Sequence, residues 1–413
     1  MSAIPQLRPS LLSQLMQVPV IVAALGYLVD MYDLFLFSVV RVPSLKALNV
    51  ADDQLLTQGI KLLNYQMAGM LVGGVLWGIL ADKKGRLSVL FGSIIMYSLA
   101  NISNGFVTSV DQYAILRFIA GVGLAGELGA GITLVTEVLP KEIRGYGTTL
   151  VATLGVMGAI LAYFVADLFA WRISYFVGGG MGLILLVLRF NVFESGMFQH
   201  MKEKNVDKGN ILLIIGNGKR FSKYLMAILV GLPIWFVVGI LITFSPEFGH
   251  AKGIVSVNAG KAVMLAFSGQ VFGDIASGLL SQYLHSRKKV IGLFITLSLC
   301  MMITYLLVPL QNALSFYIVC AFLGFCNGYW TLFITIAAEL FGTNLRATVA
   351  TTVPNFVRGA TIPLAALFVQ FKPSIGVINS GLMLGIVTSI IALIALYFLE
   401  ETFTKDMDFV EKD

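Results

Sequence analysis

A handful of ionisable side chains sit deep inside long apolar stretches of this sequence, and their types and spacing define the chemistry it could do. The first are two acids in Val29-Asp30-Met31-Tyr32-Asp33. Asp30 is about twelve residues into its stretch, and Asp33 follows three residues later on nearly the same helix face. Two carboxyls this close in a low dielectric resist ionising together, so one is expected to exchange a proton near neutral pH. The plainer alternative is an Asp locked to a structural Arg or Lys. Glu127, near the middle of another stretch, is a second candidate proton carrier, or a satisfied carboxyl paired with Arg117 or with groups near Asp30. Arg358 lies about eleven residues into a further stretch, in Pro354-Asn355-Phe356-Val357-Arg358. A guanidinium keeps its charge and offers a planar fork to a carboxylate or phosphate. Arg358 therefore reads as an anion receptor or as the partner of Asp30 or Asp33. The two readings merge if solute and proton displace an Arg–Asp pair in turn.

Other side chains fall at depths suited to lining a cavity: Tyr65, Gln66, Trp235, Asn327, Tyr329, Trp330 and Asn355. Any one of these aromatics also serves helix packing. Arg117 is shallower and suits either a structural pair with the Glu127 face or a first contact with an anion. Asp274, about three quarters of the way along its stretch, fits a gate better than a solute site. Lys61 and Lys261 stand near stretch ends, where long side chains snorkel to water. His200, His250 and His285 fall in loops, which argues against a histidine relay. Cys300, Cys320 and Cys326 lie unpaired in apolar surroundings, and neither a metal-ligand cluster nor a nucleophile–base spacing is visible.

The elements that must position these groups are membrane helices. The chain is 57% hydrophobic and only 12% charged, against about 25% charge in soluble domains. A bilayer core is crossed by roughly 20 mostly apolar residues in a helix. Twelve such segments are read at 18–40, 59–81, 87–107, 113–138, 147–169, 173–192, 222–246, 257–283, 290–309, 315–340, 347–371 and 376–399. The long polar stretch 193–221 separates an N-terminal six-helix half (1–192) from a C-terminal one with a short tail (222–413). Arg and Lys concentrate in one set of loops, which places both termini and the central loop in the cytoplasm. The formal charge of +6 is read the same way, and not as a nucleic-acid surface. The start MSAIPQLRPS has no cleavable-signal pattern, so the first span is expected to direct insertion.

The halves also look like copies. Glu137 to Arg144 and Glu339 to Arg346 share their spacing at an offset of 202 residues, which also carries Gly126 onto Gly328 and Glu127 onto Tyr329. Repeated halves with a midplane site between them are the expected layout of a carrier.

The segment Gly78-Ile-Leu-Ala-Asp82-Lys-Lys-Gly85-Arg86 resembles the major facilitator signature between the second and third helices. Arg117-Phe-Ile-Ala-Gly121-Val-Gly123-Leu-Ala-Gly126-Glu127 is similar to the fourth-helix pattern of that superfamily. Trp171-Arg172, Glu194-Ser195 and Glu400-Glu401-Thr402 add to the likeness, which covers the whole chain. Gln282, near the second-half signature Asp position, departs from it. The resemblance implies an all-α membrane protein of twelve helices in two pseudo-symmetric six-helix bundles. It also implies that Gly78, Asp82, Gly85, Arg86, Glu137, Arg144, Glu339 and Arg346 form contacts that hold the cytoplasmic side shut in one state. The Asp30–Asp33 element resembles helix one of the metabolite–proton and aromatic-acid–proton symporter branches.

These readings lead to one leading expectation: proton-driven symport of a small organic anion or zwitterion (an organic acid, an amino acid, a polycarboxylate siderophore). Arg358, Asn355, Tyr329, Trp330, Trp235, Tyr65, Gln66 and Arg117 would bind the solute, and Asp30, Asp33 and Glu127 would couple the proton. Export by proton antiport is the alternative, although Leu154-Gly155-Val156-Met157-Gly158 lacks the proline of exporter signatures. A sensor would need an appended soluble domain. The expected partners are solute, proton and lipid, with no cofactor beyond the proton gradient and no nucleic acid. The expected setting is a monomer in a bacterial inner membrane.

Overall fold

The computed structural model describes residues 11–84, 86–127, 143–194 and 212–403, with isolated positions between 127 and 143. Within a bilayer every backbone donor and acceptor must be satisfied locally, which leaves helices as the available element for apolar runs of this kind. Among the described residues the chain is helical and holds no strand.

The first half contains α1 (Val18–Ala47), α2 (Leu55–Lys84), α3 (Arg86–Asn104), α4 (Val110–Leu124), α5 (Arg144–Leu168) and α6 (Trp171–Glu194). The second half opens with α7, which runs Gly218–Val230 and Leu232–Phe236 and then widens into a π-helical stretch, Val237–Ile242. It is followed by α8 (Ala259–Tyr283) and α9 (Arg287–Leu307). Next comes α10, in two pieces, Ala313–Cys326 and Trp330–Glu339. The eleventh crossing, α11, starts as Thr343–Gly359 and continues into Thr361–Phe398, which bends at Gly376 (φ 80°); residues 377–398 make the twelfth, α12. Gly376 takes a left-handed φ that a Cβ would oppose, so the turn between the last two crossings falls there.

Small residues set the helix spacing, as expected where lipid gives no hydrophobic drive between helices. A Cβ on Gly69 or Gly73 of α2 would meet backbone carbonyls of α4, and one on Gly121 would meet that of Gln66. The same arrangement recurs in the second half, where Gly269 and Gly273 of α8 meet carbonyls of α10 and Gly324 meets that of Ala266. The two bundles thus repeat one close α2–α4 and α8–α10 contact. They meet through α1 and α5 against α8, and through α2 against α11. Several helices are interrupted near mid-depth: α4 after Leu124, α7 at Gly231, and α10 at residues 327–329.

Candidate solute site between the two halves

A narrow cleft lies between the halves. Met31 and Phe35 of α1 line it from the first half. From the second half come Ile234, Trp235 and Val238 of α7, Phe267 and Gln270 of α8, Trp330 of α10 and Arg358 of α11. Its chemistry is therefore one guanidinium and one amide in an aromatic and aliphatic wall. The interruptions in α7 and α10 bring Trp235 and Trp330 to it, and the π-helical stretch turns Val238 inward. Thr243 Oγ1 donates to the Val238 carbonyl at 2.8 Å, beside the i→i+5 bond that the same carbonyl accepts from the Thr243 N–H at 3.3 Å.

Arg358 is fully buried. Its guanidinium carbon stands 5.5 Å from the Trp235 ring centroid and 5.8 Å from that of Trp330. Nη1 donates to Asn355 Oδ1 at 3.3 Å, while Nε and Nη2 have no hydrogen-bond partner. Nε and Nη2 are the two donors of one edge of the fork, the geometry that meets both oxygens of a carboxylate at once. Asn355 in turn donates to the Ala125 carbonyl at 3.0 Å, which ties α11 to the break in α4.

The two acids of α1 do not act on one partner. Asp30 interacts electrostatically with Arg358 of the opposite half, and with Glu127. Asp33 interacts with Arg117 and lies beside Asn101, inside the first half. Both carboxylates are fully buried and neither oxygen of either makes a hydrogen bond at normal geometry. The Arg117 guanidinium is equally buried and unpaired by hydrogen bonds, and stands 5.3 Å from the Phe37 centroid and 5.9 Å from that of Tyr175.

Glu127 has a partner that the sequence did not suggest. Arg189 of α6 grips it with both terminal nitrogens, Nη2 to Oε1 and Nη1 to Oε2. A Cβ on Gly26 of α1 would collide with both groups, so glycine there makes room for the pair. Tyr329, at the repeat position of Glu127, donates its hydroxyl to the Val230 carbonyl at 3.4 Å and does not line the cavity. Gln66 donates to the Leu34 carbonyl at 3.4 Å within the first half. Tyr65 is 42% exposed and stands away from the cavity lining. Of the gating candidates, Glu339 accepts from Thr402 Oγ1 at 2.6 Å and pairs with Arg287 at 3.4 Å. Nothing crowds Gly78. Gly85 and Glu137 lie outside the described residues, as do the side chains of Asp82, Arg86, Arg144 and Arg346.

The sequence also passed over an ion pair that joins α1 of the first half to the segment after α7 of the second. Arg41 of α1 makes two 2.7 Å bonds to Glu247, in the short helix Ser245–Ala251 after α7. Arg41 also packs 4.5 Å from the Phe244 centroid, and Ser38 and Thr243 share a 3.0 Å hydrogen bond.

The sequence pattern of the Major Facilitator Superfamily matches residues 23–366. The chain belongs to that superfamily. It is a multi-pass membrane transporter for a small molecule, and not an enzyme. Among its relatives, a probable 4-methylmuconolactone transporter of Cupriavidus pinatubonensis is 27% identical over 346 residues, covering 78% of this chain and 76% of the relative. A gentisate transporter of Corynebacterium glutamicum is 25% identical over 402 residues, covering 91% and 86%. In fold the chain is similar to the proton:xylose symporter XylE, solved with 6-bromo-6-deoxy-D-glucose bound. The TM-score is 0.69 at 16% identity, over 93% of this chain and 96% of that one. The twelve-helix, two-bundle architecture read from the sequence is the fold of this superfamily.

Proposed function

We propose that this transporter is a proton symporter that imports a small organic anion with a planar, unsaturated or aromatic body. The observation that carries this reading is the free Nε–Nη2 edge of Arg358, which lies beside two indole rings and is the one cation that lines the cleft among the described residues. A carboxylate meets that edge through two parallel charge-assisted bonds, and a flat body stacks on the aromatic wall. The names of two relatives, the methylmuconolactone and gentisate transporters, support a flat organic solute.

Coupling follows from the opposition of Asp30 and Arg358. An ionised Asp30 competes with the solute for the guanidinium. A proton taken by Asp30 ends that competition, so solute and proton load together and leave together. Asp33 and Arg117 repeat the acid–guanidinium arrangement one turn away within the first half and provide a second place for a proton. The Arg41–Glu247 contact, formed in this structure, would hold α1 against the segment after α7 on the outer side and break when that side opens. The setting is a bacterial cytoplasmic membrane with both termini inside, and the working unit is a monomer driven by the proton gradient alone.

The test is a thermal-shift panel on purified protein with benzoate, gentisate, succinate, glycine and xylose. A ligand of the folded state raises its apparent stability by mass action. Benzoate and gentisate are expected to stabilise the wild type and to lose most of that effect in Arg358→Lys. Stabilisation by xylose or glycine alone would overturn the reading.

A further inference from the structure

Asp274 of α8 is a half-buried acid that the coupling scheme does not use. It sits where α8 and α10 touch backbone to backbone: a Cβ on Gly328 would meet Gly273 and the Asp274 nitrogen. There α10 is broken. Its second piece, Trp330–Glu339, starts after Tyr329 with no capping bond from its own preceding side chain. The first N–H groups of a helix lack intrahelical acceptors and need an outside one. Asp274 supplies it: the Thr331 N–H donates to Asp274 Oδ1 at 3.1 Å. The second oxygen, Oδ2, is buried without a hydrogen bond, and Gln270, one turn back on α8, stands beside the carboxylate and on the cavity wall.

The residue that this cap places is Trp330. Its indole flanks Arg358, lies 6.3 Å from Trp235, and donates from Nε1 to the Tyr27 hydroxyl at 3.1 Å. Tyr27 belongs to α1, so one side chain is at once a wall of the cavity and a bond between the halves. The Tyr329 side chain gives that helix piece no cap, so the bond from the Thr331 N–H to Asp274 takes that place. A shift there moves the indole relative to both Arg358 and Tyr27.

We propose that Asp274 is a positioning residue for solute recognition: it caps the second piece of α10 from a neighbouring helix and thereby sets where Trp330 stands over Arg358 and against Tyr27. The solute part of this claim rests on the planar-carboxylate reading above, while the placement of Trp330 does not.

The experiment therefore has two arms. In the first, Trp77→Phe, Trp171→Phe and Trp235→Phe leave Trp330 as the sole tryptophan of the full chain, and acrylamide quenching is measured without solute. Asp274→Ala is expected to raise the quenching constant at least about twofold, as the loss of a helix cap frees the first turn. Asp274→Asn keeps an oxygen acceptor and is expected to stay near the parent. Identical quenching for all three would overturn the proposal whatever the solute. In the second arm, binding of benzoate and of butyrate is measured by calorimetry on the otherwise native chain. Asp274→Ala is expected to weaken benzoate roughly fivefold, the size of a lost cap, and to leave any butyrate binding unchanged. Adding it to Trp330→Leu should cost nothing further. Equal weakening of both acids, or additive losses in the double variant, would contradict positioning through Trp330. A wild type that ignores benzoate while passing the quenching arm would leave the placement standing and remove the planar-carboxylate reading.

Discussion

Asp30 and Arg358 come from opposite halves of the chain, both are fully buried, and they interact without a hydrogen bond between them. A directly bonded buried pair would be hard to separate, because removing one partner leaves an uncompensated charge. An unbonded pair beside a cavity can be divided by an incoming carboxylate and a proton. That distinction separates Asp30 from Glu127, whose two oxygens are both held by Arg189.

Glu127 and Arg189 should therefore behave as a structural unit. Glu127→Gln leaves the Arg189 charge unmatched in the bundle interior and is expected to cost ~3 kcal/mol or more of stability. Replacing both by Gln and Met should recover most of it. Thermal unfolding of the three variants in detergent checks this, and full stability of Glu127→Gln would contradict it.

The Arg41–Glu247 contact predicts a change in access. With Glu247→Gln, a cysteine at position 38 should react with a membrane-impermeant maleimide about tenfold faster, a change worth ~1.4 kcal/mol. Exchanging the charges, Arg41→Glu with Glu247→Arg, should slow labelling again. Labelling that does not depend on either residue would show that this end is held by other contacts.

Glycine spacing predicts a contrast between sites. Gly73→Leu and Gly273→Leu push a side chain into the facing backbone, and are expected to cost ~1–3 kcal/mol or more as overpacking. Gly180→Ala and Gly278→Ala, where a Cβ meets nothing within 4 Å, should be neutral or slightly stabilising. The ranking of melting temperatures checks both halves of the repeat together.

Glu401, beyond the last crossing, gives a pH signature. Partial burial pushes its carboxyl up, but bonds donated by the Ser286 hydroxyl and by the Arg287, Phe403 and Lys288 N–H groups outweigh it and hold the group below the usual carboxylate range. A depressed folded value means the stabilisation is complete above the unfolded value and is lost as pH falls through the folded one. Glu401→Gln should thus lower stability at pH 7 by less than ~1 kcal/mol, since the group is exposed to screening. The gap from wild type should close as pH falls below about 4. A gap that persists in acid would contradict the cap.

The sequence made the architecture legible because lipid leaves few ways to satisfy a backbone, and because charges in apolar runs are rare enough to stand out. Arg358 stood out as such a charge, Trp235 and Trp330 by their depth along their helices, and all three line the cleft. Arg189 was not: it lies near the end of its apolar stretch, where a basic residue passes for an interface anchor. Arg41 falls one residue past the first apolar segment, where a basic residue draws no notice, and its partner lies 206 residues away. Met31, Phe35 and Phe267 line the cavity but carry no mark that distinguishes them from lipid-facing neighbours. Tyr65 has suitable depth but the wrong helix face, since depth follows from counting residues while rotation depends on packing.

The most direct test of coupling through Asp30 is benzoate uptake into proteoliposomes under an inward proton gradient, measured beside exchange of labelled for unlabelled benzoate at equal pH. Asp30→Asn is predicted to abolish accumulation against the gradient of benzoate while exchange continues. Accumulation at the wild-type level in Asp30→Asn would contradict the account.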